Sequence, residues 1–377
     1  MTLSAAVLKP LDHWHAVCDR VVGSATFRRC AEAFPPTRWI ARRHARAVFD
    51  LCAGFVYSQV LLACVRLRLL EILAERPQTV AVLARRIGLT EDAAARLLAA
   101  AVALRLAERR GDQRYGLGAL GRAIAGDAAI AAMIEHHAAL YADLRDPVAL
   151  LQGRHTDTAL AAYWPYAGAA KPATLTASST AAYSALMSKS QSLIAGQVLA
   201  AHDFTQHRCL LDVGGGEGAF LSAVAARCPD LQLMLLDLPP VAENARARFA
   251  AEGLSGRATA LAGDFLVDPL PAGADALSLV RVLHDHDDPA ALRILRAAHD
   301  ALPSGGTLVI AEPMAGTPGA EAMGDAYFGF YLLAMGSGRA RAPSKIVQML
   351  ATAGFAGARE VPTRIPLQTG LVVARKP

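Results

Sequence analysis

The sequence predicts an α/β protein built on a doubly wound, mostly parallel sheet, with a helical region ahead of it. Three observations predict this class. An apolar stretch ending at Val213 enters a glycine-rich turn and a helix at 219–227, and a second apolar stretch at 231–236 ends in Asp237. Further strand-like stretches follow at 258–262, 276–280 and 308–311. Strands that alternate with helices in this way form parallel sheets.

The glycine-rich turn is the segment L-L-D-V-G-G-G-E-G at 210–218. Glycines lack Cβ atoms where a backbone must bend sharply and approach a ligand, and the helix that follows offers free N–H groups. Asp237 lies one helix and one strand later, where a carboxylate can accept hydrogen bonds from both ribose hydroxyls. The pattern predicts a nucleotide-binding crevice.

Two nucleotides fit this crevice. For a dinucleotide, Gly214, Gly216 and Ala219 satisfy G-x-G-x-x-A, but Glu217 would stand beside the phosphates, which disfavours anions. S-adenosylmethionine has no pyrophosphate, and its usual loop is G-x-G-x-G after an acidic residue. We therefore predict S-adenosyl-L-methionine as cofactor, with its loop contacts at Asp212, Gly214, Gly216 and Gly218, and with Asp237 and Leu238 at the next strand end.

The later strands add further candidates at the same edge of the sheet. Asp264 and Phe265 follow the third strand, where an aspartate can accept from the adenine amine while the phenyl ring packs on the base. Arg281, another cofactor candidate, and His284 follow the fourth strand. His284 is the predicted catalytic base because imidazole titrates near neutrality. Glu312, at the end of the next strand, is predicted to hold its far ring nitrogen.

Together these segments resemble the S-adenosylmethionine-dependent O-methyltransferases of the plant caffeate and hydroxyindole type. The motifs that carry this resemblance are the glycine loop, L-D-L-P at 236–239, G-D-F at 263–265, L-H-D-H-D-D at 283–288 and L-V-I-A-E-P at 308–313. The stretches 45–61 and 183–191 are similar to carotenoid O-methyltransferases of purple photosynthetic bacteria. That resemblance implies methylation of the tertiary 1-hydroxyl of an acyclic carotenoid by a homodimer with a winged-helix dimerisation domain and a Rossmann-like methyltransferase sheet.

Four residues are predicted to contact a hydrophobic small-molecule substrate. Tyr183 and Met187 are four residues apart and share one helical face, which by resemblance looks toward the substrate. Tyr331 and Met335 belong to an apolar, aromatic stretch that could wall a long channel. Ordinary core packing is the alternative for both pairs.

Four regions are predicted along the chain: a basic amino-terminal arm at 1–50, a winged-helix-like dimerisation domain at 51–125, a helical linker and substrate-facing region at 126–200, and the S-adenosylmethionine-binding catalytic domain at 201–377. The second region has a sequence pattern typical of a helix-turn-helix, followed by a hairpin around Gly111-Asp112. A DNA-binding regulator is the hypothesis from another functional class. The second helix, at 91–101, is poor in basic side chains, so dimerisation is favoured and no nucleic-acid partner is expected.

The basic arm carries seven arginines interleaved with aromatic residues. Peripheral attachment to an anionic membrane and packing across a dimer partner both explain this pattern. The longest uncharged run, 51–65, is shorter than the roughly 20 residues that span a bilayer, so no membrane-spanning segment is predicted. With no signal peptide apparent and six scattered cysteines, the expected setting is the cytoplasm, with peripheral contact at the inner membrane left open. No metal site is expected.

One position departs from the plant-type pattern. Ala340 stands where those enzymes carry a second glutamate, so His284 is expected to be oriented from one side only. Because a tertiary alcohol is far less acidic than a phenol, we expect proton removal in concert with carbon–oxygen bond formation or after it. The alternatives are methylation of a phenol, flavonoid or polyketide, and C-methylation of a bacteriochlorophyll precursor. The histidine favours oxygen over carbon.

Overall fold

The computed structural model describes residues 5–163 and 177–377, with side chains described at 12–163, 188 and 190–377. The chain forms two compact units that divide between Ala125 and Gly126. Each unit is described by itself below.

The first unit is helical, with one small sheet. Its helices are α1 (Ala5–Gly23), α2 (Ala25–Ala33), α3 (Pro35–Arg66), α4 (Leu69–Glu75), α5 (Val80–Ile87), α6 (Glu91–Ala103) and α7 (Ala119–Ile124). Its strands are β1 (Gln78–Thr79), β2 (Ala107–Arg110) and β3 (Arg114–Leu117), which form an antiparallel sheet in the order β1-β3-β2.

The helix-turn-helix and hairpin of this unit form the winged helix that the sequence predicts. Gly88 ends α5 with φ +70°, and the Thr90 hydroxyl caps α6 by accepting a hydrogen bond from the Ala93 N–H at 3.2 Å. Asp112 and Gln113 adopt left-handed conformations at the tip of the hairpin. Apolar side chains from α4, α5 and α6 fill the core, so the module has a hydrophobic core of its own.

Helix α3 is the helix of the described residues whose length and composition would allow it to cross a membrane. Only 11% of its apolar window is buried. Its last two turns bury Leu62 and place Cys64 in the core of the winged-helix module. That end of the helix is therefore packed against protein.

The second unit surrounds a seven-stranded sheet. Its strands are β4 (Cys209–Val213), β5 (Gln232–Asp237), β6 (Ala258–Ala262), β7 (Ala276–Val280), β8 (Thr307–Glu312), β9 (Ala356–Val361) and β10 (Gly370–Arg375). Its helices are α8 (Ala128–Asp143), α9 (Pro147–Leu151), α10 (Ala159–Tyr163), α11 (Ala177–Ala201), α12 (Ala219–Arg227), α13 (Pro239–Ala251), α14 (Asp288–Ala301), α15 (Phe328–Met335) and α16 (Pro343–Thr352). A π-helical turn, Ala322–Tyr327, leads into α15, and short 3₁₀ turns cover Phe204–Gln206 and Leu283–Asp285.

The strand order β6-β5-β4-β7-β8-β10-β9 places β4 at the switch point of a doubly wound sheet. The strands β4 to β8 run parallel, and β10 runs antiparallel between β8 and β9. The carboxyl ends of β4, β5, β7 and β8 consequently meet at one edge, where ligands bind in open α/β sheets. The predicted fold class is confirmed.

Candidate active site

The glycine loop at 214–218 turns sharply between β4 and α12. Gly214, Gly216 and Gly218 all have left-handed φ values, +69°, +59° and +80°. A Cβ at Gly214 would lie 2.8 Å from Val282 and 3.4 Å from the ring of Phe265, whereas one at Gly216 would meet open space. The loop is therefore packed at its base and open at its tip.

Gly218 offers a test of why the loop needs glycine. A Cβ there would lie 2.7 Å from the Phe249 ring of α13. We expect Gly218→Ala to cost about 2 to 4 kcal/mol of unfolding free energy, from left-handed strain plus overpacking. Gly216→Ala is the matched control, because it carries the strain without the contact and should cost about 1 to 2 kcal/mol. Chemical denaturation measures both, and equal losses would contradict the packing explanation.

Asp237 fixes the loop from the tip of β5. Its Oδ2 accepts a hydrogen bond from the Gly216 N–H at 2.8 Å, and its Oδ1 accepts one from the Leu238 N–H at 2.7 Å. Burial raises the pKa of Asp237 to about 6, against these two backbone bonds, which lower it. Each carboxylate oxygen keeps a further acceptor site, so ribose hydroxyls can still be bound.

Asp212 is more deeply buried than the other carboxylates that are predicted to contact the cofactor. It is 1% exposed, and its Oδ1 accepts a hydrogen bond from the Ser278 hydroxyl at 2.6 Å, across the β4–β7 pair. Its Oδ2 lies directly beneath Gly215, and burial raises the pKa of the carboxyl to about 7. Asp212 therefore supports the loop from below, inside the sheet, and does not line the open crevice.

The residues predicted for the adenine end lie near the loop. Phe265 packs beside Gly214 and edge-on to His286, with 5.7 Å between ring centroids. Asp264 is 9% exposed and accepts a hydrogen bond from the Leu266 N–H at 2.9 Å. Arg281 has a φ of +60° at the end of β7 and donates to the Ser190 hydroxyl at 2.8 Å, which directs its guanidinium toward α11.

His284 lies in the 3₁₀ turn that follows β7 and is 4% exposed. Its Nδ1 lies 3.5 Å from Glu312 Oε2. The other oxygen of Glu312 accepts hydrogen bonds from the Val282 and Leu283 N–H groups, at 3.2 and 2.5 Å. One carboxylate at the end of β8 thus faces the imidazole and holds the turn that carries it.

A second carboxylate reaches the imidazole from the other side. Asp285 Oδ1 lies 3.1 Å from His284 Nε2, so the expectation of orientation from one side only is wrong. Burial lowers the pKa of His284, but the charges of Asp285 and Glu312 outweigh it and raise the pKa above 6.5. The neighbouring residue supplies the carboxylate that Ala340 lacks.

Arg341 clamps the same turn from a distant loop. Its guanidinium is 3% exposed and donates to the carbonyls of Leu283 at 2.8 Å and His286 at 2.6 Å, and to Asp288 Oδ1 at 2.9 Å. The Arg339 N–H donates to the His284 carbonyl at 2.7 Å. Hydrogen bonds therefore hold the backbone of the turn that carries His284, the predicted base, on both sides of that residue.

We expect Arg341→Ala to lower turnover by up to about 10²-fold, because displacement of a reacting group by an ångström has effects of that size. The affinity for methyl donor should stay unchanged, since Arg341 does not touch the glycine loop. Arg339→Ala is the matched control, because it removes the same charge from an exposed side chain while keeping the backbone bond. Steady-state kinetics and donor titration measure both; equal turnover in the two variants would contradict the clamp.

The helix α15 and the turn before it form an aromatic wall beside the imidazole. Phe328 stands edge-on to His284 with 5.8 Å between centroids, and Tyr327 and Tyr331 pack on Phe328. Met335 is 1% exposed within the cluster that surrounds Tyr331. Of the residues predicted on this helix, Tyr331 lies behind Phe328 and Met335 in the packed core.

Two histidines of α8 bind the tyrosine hydroxyls of this wall. His137 Nδ1 lies 2.6 Å from the Met133 carbonyl, so it must carry the proton, and Nε2 accepts from the Tyr327 hydroxyl at 2.8 Å. His136 Nε2 pairs with the Tyr331 hydroxyl at 2.6 Å. Burial, with help from His137, lowers the pKa of His136 to about 4. These neutral pairs leave the wall uncharged beside Phe328.

Tyr183 and Met187, the other predicted substrate residues, lie on α11 with side chains outside the described residues. In the parts of the chain that the structure describes, no group of three or more His, Cys, Asp or Glu side chains could hold a metal ion.

Comparison with known proteins places this geometry in a family. Residues 141–356 match the O-methyltransferase domain, and residues 49–127 match the O-methyltransferase dimerisation domain. The chain belongs to the O-methyltransferase family. The dimerisation domain supports a homodimer and favours that role for the winged helix over DNA binding.

Relatives of this O-methyltransferase resemble it along nearly its whole length. It is 44% identical to the demethylspheroidene O-methyltransferase of Cereibacter sphaeroides, over 95% of this chain and 94% of the relative. It is 41% identical to the enzyme of that name from Rhodobacter capsulatus, over 95% and 88%. The predicted resemblance to carotenoid enzymes is confirmed.

Solved structures show the same fold. A methyltransferase of calicheamicin biosynthesis in its SAH-bound form has a TM-score of 0.75 at 25% identity, covering 89% of this chain and 98% of that one. Human N-acetylserotonin methyltransferase in complex with SAM has a TM-score of 0.72 at 24% identity, covering 88% and 97%. The fold of this O-methyltransferase is therefore that of S-adenosylmethionine-dependent methyltransferases.

The residues at the sheet edge fit S-adenosylmethionine. The open tip at Gly216 and the spare acceptor sites of Asp237 suit a ribose, and Phe265 beside Gly214 offers an aromatic face for a base. Sequence reasoning missed Asp285, Arg341 and the two histidines of α8. The L-H-D motif could have revealed Asp285, whereas the contacts of the other three depend on chain segments far away.

Proposed function

We propose that this O-methyltransferase moves the methyl group of S-adenosylmethionine to the tertiary hydroxyl of an acyclic hydroxycarotenoid, with His284 as the base. The similarity to two demethylspheroidene O-methyltransferases over 95% of the chain carries the acceptor class. The buried histidine between two carboxylates, beside an uncharged aromatic wall, supports the chemistry.

The residues that would hold the donor lie at the carboxyl ends of β4, β5 and β6. Asp237 would bind the ribose, Phe265 would pack on the adenine, and the open glycine loop would let the rest of the molecule approach the backbone. When bound, S-adenosylmethionine supplies an activated methyl carbon on a sulfonium centre, which loses its positive charge on transfer. The protein must therefore align the hydroxyl, exclude water and accept one proton.

His284 accepts that proton. A tertiary alcohol is too weakly acidic to ionise first, so the O–H bond breaks as the new carbon–oxygen bond forms or after it. The proton goes to the imidazole, whose Nδ1 faces Glu312 and whose Nε2 faces Asp285, so the imidazolium that forms has a carboxylate beside each ring nitrogen. Two carboxylates in a buried site stabilise that cation, which is the reason for their raising effect on the His284 pKa. General-base catalysis of this kind contributes about 10²- to 10⁴-fold.

The aromatic wall suits an apolar acceptor. The Tyr327 hydroxyl donates a hydrogen bond to His137 Nε2, and the Tyr331 hydroxyl is hydrogen-bonded to His136. Phe328 presents a hydrocarbon face next to the imidazole. An acceptor bound there is oriented by shape and apolar contact, as a polyene would be.

The test is methyl transfer from labelled S-adenosylmethionine to detergent-dispersed 1-hydroxy acyclic carotenoids, beside a panel of phenols and flavonoids. Mass analysis identifies the products. We expect a methoxy-carotenoid and little methylated phenol. Methylated phenols alone would overturn the carotenoid assignment while leaving the O-methyltransferase reaction in place, and a C-methylated product would overturn the oxygen acceptor.

A further inference from the structure

We propose that the basic arm docks the protein on an anionic lipid bilayer, through Trp39 and the arginines that surround it on α3. The arm is the predicted region 1–50, which contains α1, α2 and the first half of α3. Docking there does not depend on which hydroxyl the enzyme methylates.

The arm is folded, yet it buries almost nothing. Ser24 caps α2 by accepting from the Phe27 N–H at 3.1 Å, and the Thr37 hydroxyl ties α3 to the Ala31 carbonyl at 2.8 Å. None of the nine residues of α2 is buried, and all nine are described. Trp14 and Trp39 are 64% and 60% exposed. Short helices are only marginally stable in isolation and gain most of their stability from packing. This pair of helices therefore requires a partner surface.

The charge of the arm indicates the kind of surface. The arm contains Lys9 and seven arginines against four acidic residues, and Glu32 is the single acidic residue within the arginine-rich stretch 20–46. On α3, Arg42, Arg43 and Arg46 follow Trp39 by three, four and seven positions and therefore share its face. The Arg43 guanidinium lies 5.8 Å from the centre of the Trp39 ring.

Such a face matches the boundary layer of a membrane. Guanidinium groups bind phosphate oxygens in a bidentate manner, and indole rings prefer the headgroup region, where one edge is apolar and the other is wet. Arginine stems can extend along apolar surface while their charges reach the headgroups. The arm combines both components on one helical face.

A second copy of the chain fits this face less well. Direct pairing of two arms in a dimer would bring like charges together, which opposes association. The matched dimerisation domain begins only at residue 49, after the arginine-rich turns. The exposed apolar residues inside that domain, Phe49, Leu51 and Phe55, are available to the dimer instead. Because Cys64 packs in the core of the winged-helix module, we place the arm on the surface of the bilayer and not across it.

The experiment is flotation of the full-length protein with vesicles of phosphatidylcholine alone or mixed in equal parts with phosphatidylglycerol. We expect binding to the anionic vesicles only, weakening with added salt. An arginine near an anionic surface is worth about fivefold in binding, so replacing Arg42, Arg43 and Arg46 by glutamine should weaken it about 10²-fold. Replacing Arg208, Arg293 and Arg296, exposed on the second unit, is the charge-matched control and should change little.

Two further measurements separate the outcomes. Sedimentation analysis of the arm variant should give an unchanged oligomeric mass, and its methyl transfer to detergent-dispersed acceptor should equal that of the wild type. Loss of the dimer in the arm variant, equal binding to neutral vesicles, or equal weakening by the control triple would each overturn membrane docking. Failure of carotenoid methylation in wild type and variant alike would count against the acceptor and leave docking intact.

Discussion

Replacing His284 by alanine is expected to lower turnover by about 10²- to 10⁴-fold while donor binding stays intact. The imidazole lies beside the aromatic wall, where it can accept the hydroxyl proton, and Glu312 and Asp285 lie 3.5 and 3.1 Å from its two ring nitrogens. Asp237 and the glycine loop, the proposed donor site, do not contact it. Single-turnover rates and donor titration measure the two effects separately.

The pH dependence adds a second criterion for the same residue. The base acts when neutral, and its pKa is raised above 6.5, so kcat/KM should rise with pH through an apparent pKa above that value. His286→Ala is the control, because that neighbouring histidine contacts Phe265 and burial lowers its pKa, whereas the pKa of His284 is raised. Nearly full turnover in His284→Ala, or an unchanged pH profile, would refute the assignment of the base.

Replacing Asp237 by alanine is expected to weaken donor binding by about 10²- to 10⁴-fold. Two hydrogen bonds from ribose to a charged acceptor are worth about 1.5 to 3 kcal/mol each, and their sum converts to that range. The substitution also frees the N–H groups of Gly216 and Leu238, which adds to the loss. Calorimetric titration with S-adenosylmethionine measures the change.

The carboxylate of Asp237 also determines how the affinity for S-adenosylmethionine should change with pH. With a pKa of about 6, Asp237 becomes protonated as the pH falls below 6 and loses acceptor capacity, so wild-type affinity should fall there. Asp237→Asn should bind weakly without that dependence. Asp230→Asn, an exposed aspartate on the turn before β5, controls for charge. Unchanged donor affinity in Asp237→Ala would contradict ribose recognition by this residue.

The parts of the site that sequence predicts well are local. Glycine spacing, apolar strands and the residue types at strand ends place Asp237, His284 and Glu312 on one edge, because parallel strands bring their carboxyl ends together. The prediction for Asp212 is less complete, since the motif does not tell a carboxylate beneath the loop from one facing the ligand. Ser278, from a neighbouring strand, decides that difference.

What sequence could not predict depends on packing between distant segments. His136 pairs with Tyr331 across 195 positions, and Arg341 reaches the Leu283 carbonyl across 58. Neither histidine belongs to a motif, and an arginine in a loop has no fixed partner until the fold forms. The resemblance does not predict the second carboxylate at His284, because the plant-type pattern places it at position 340, whereas in this fold the adjacent Asp285 supplies it.

The clamp on the His284 turn has a consequence for how acceptor preference can change in evolution or by design. Helix α15 ends at Met335, and Gly338, with φ +88°, passes so close to the His284 carbonyl that a Cβ would lie 2.2 Å from it. The wall that we propose faces the acceptor and the loop that holds the His284 turn are therefore one short covalent segment. New specificities are most accessible through side chains on the wall that leave the backbone after Met335 in place, because insertions there would move the base as well.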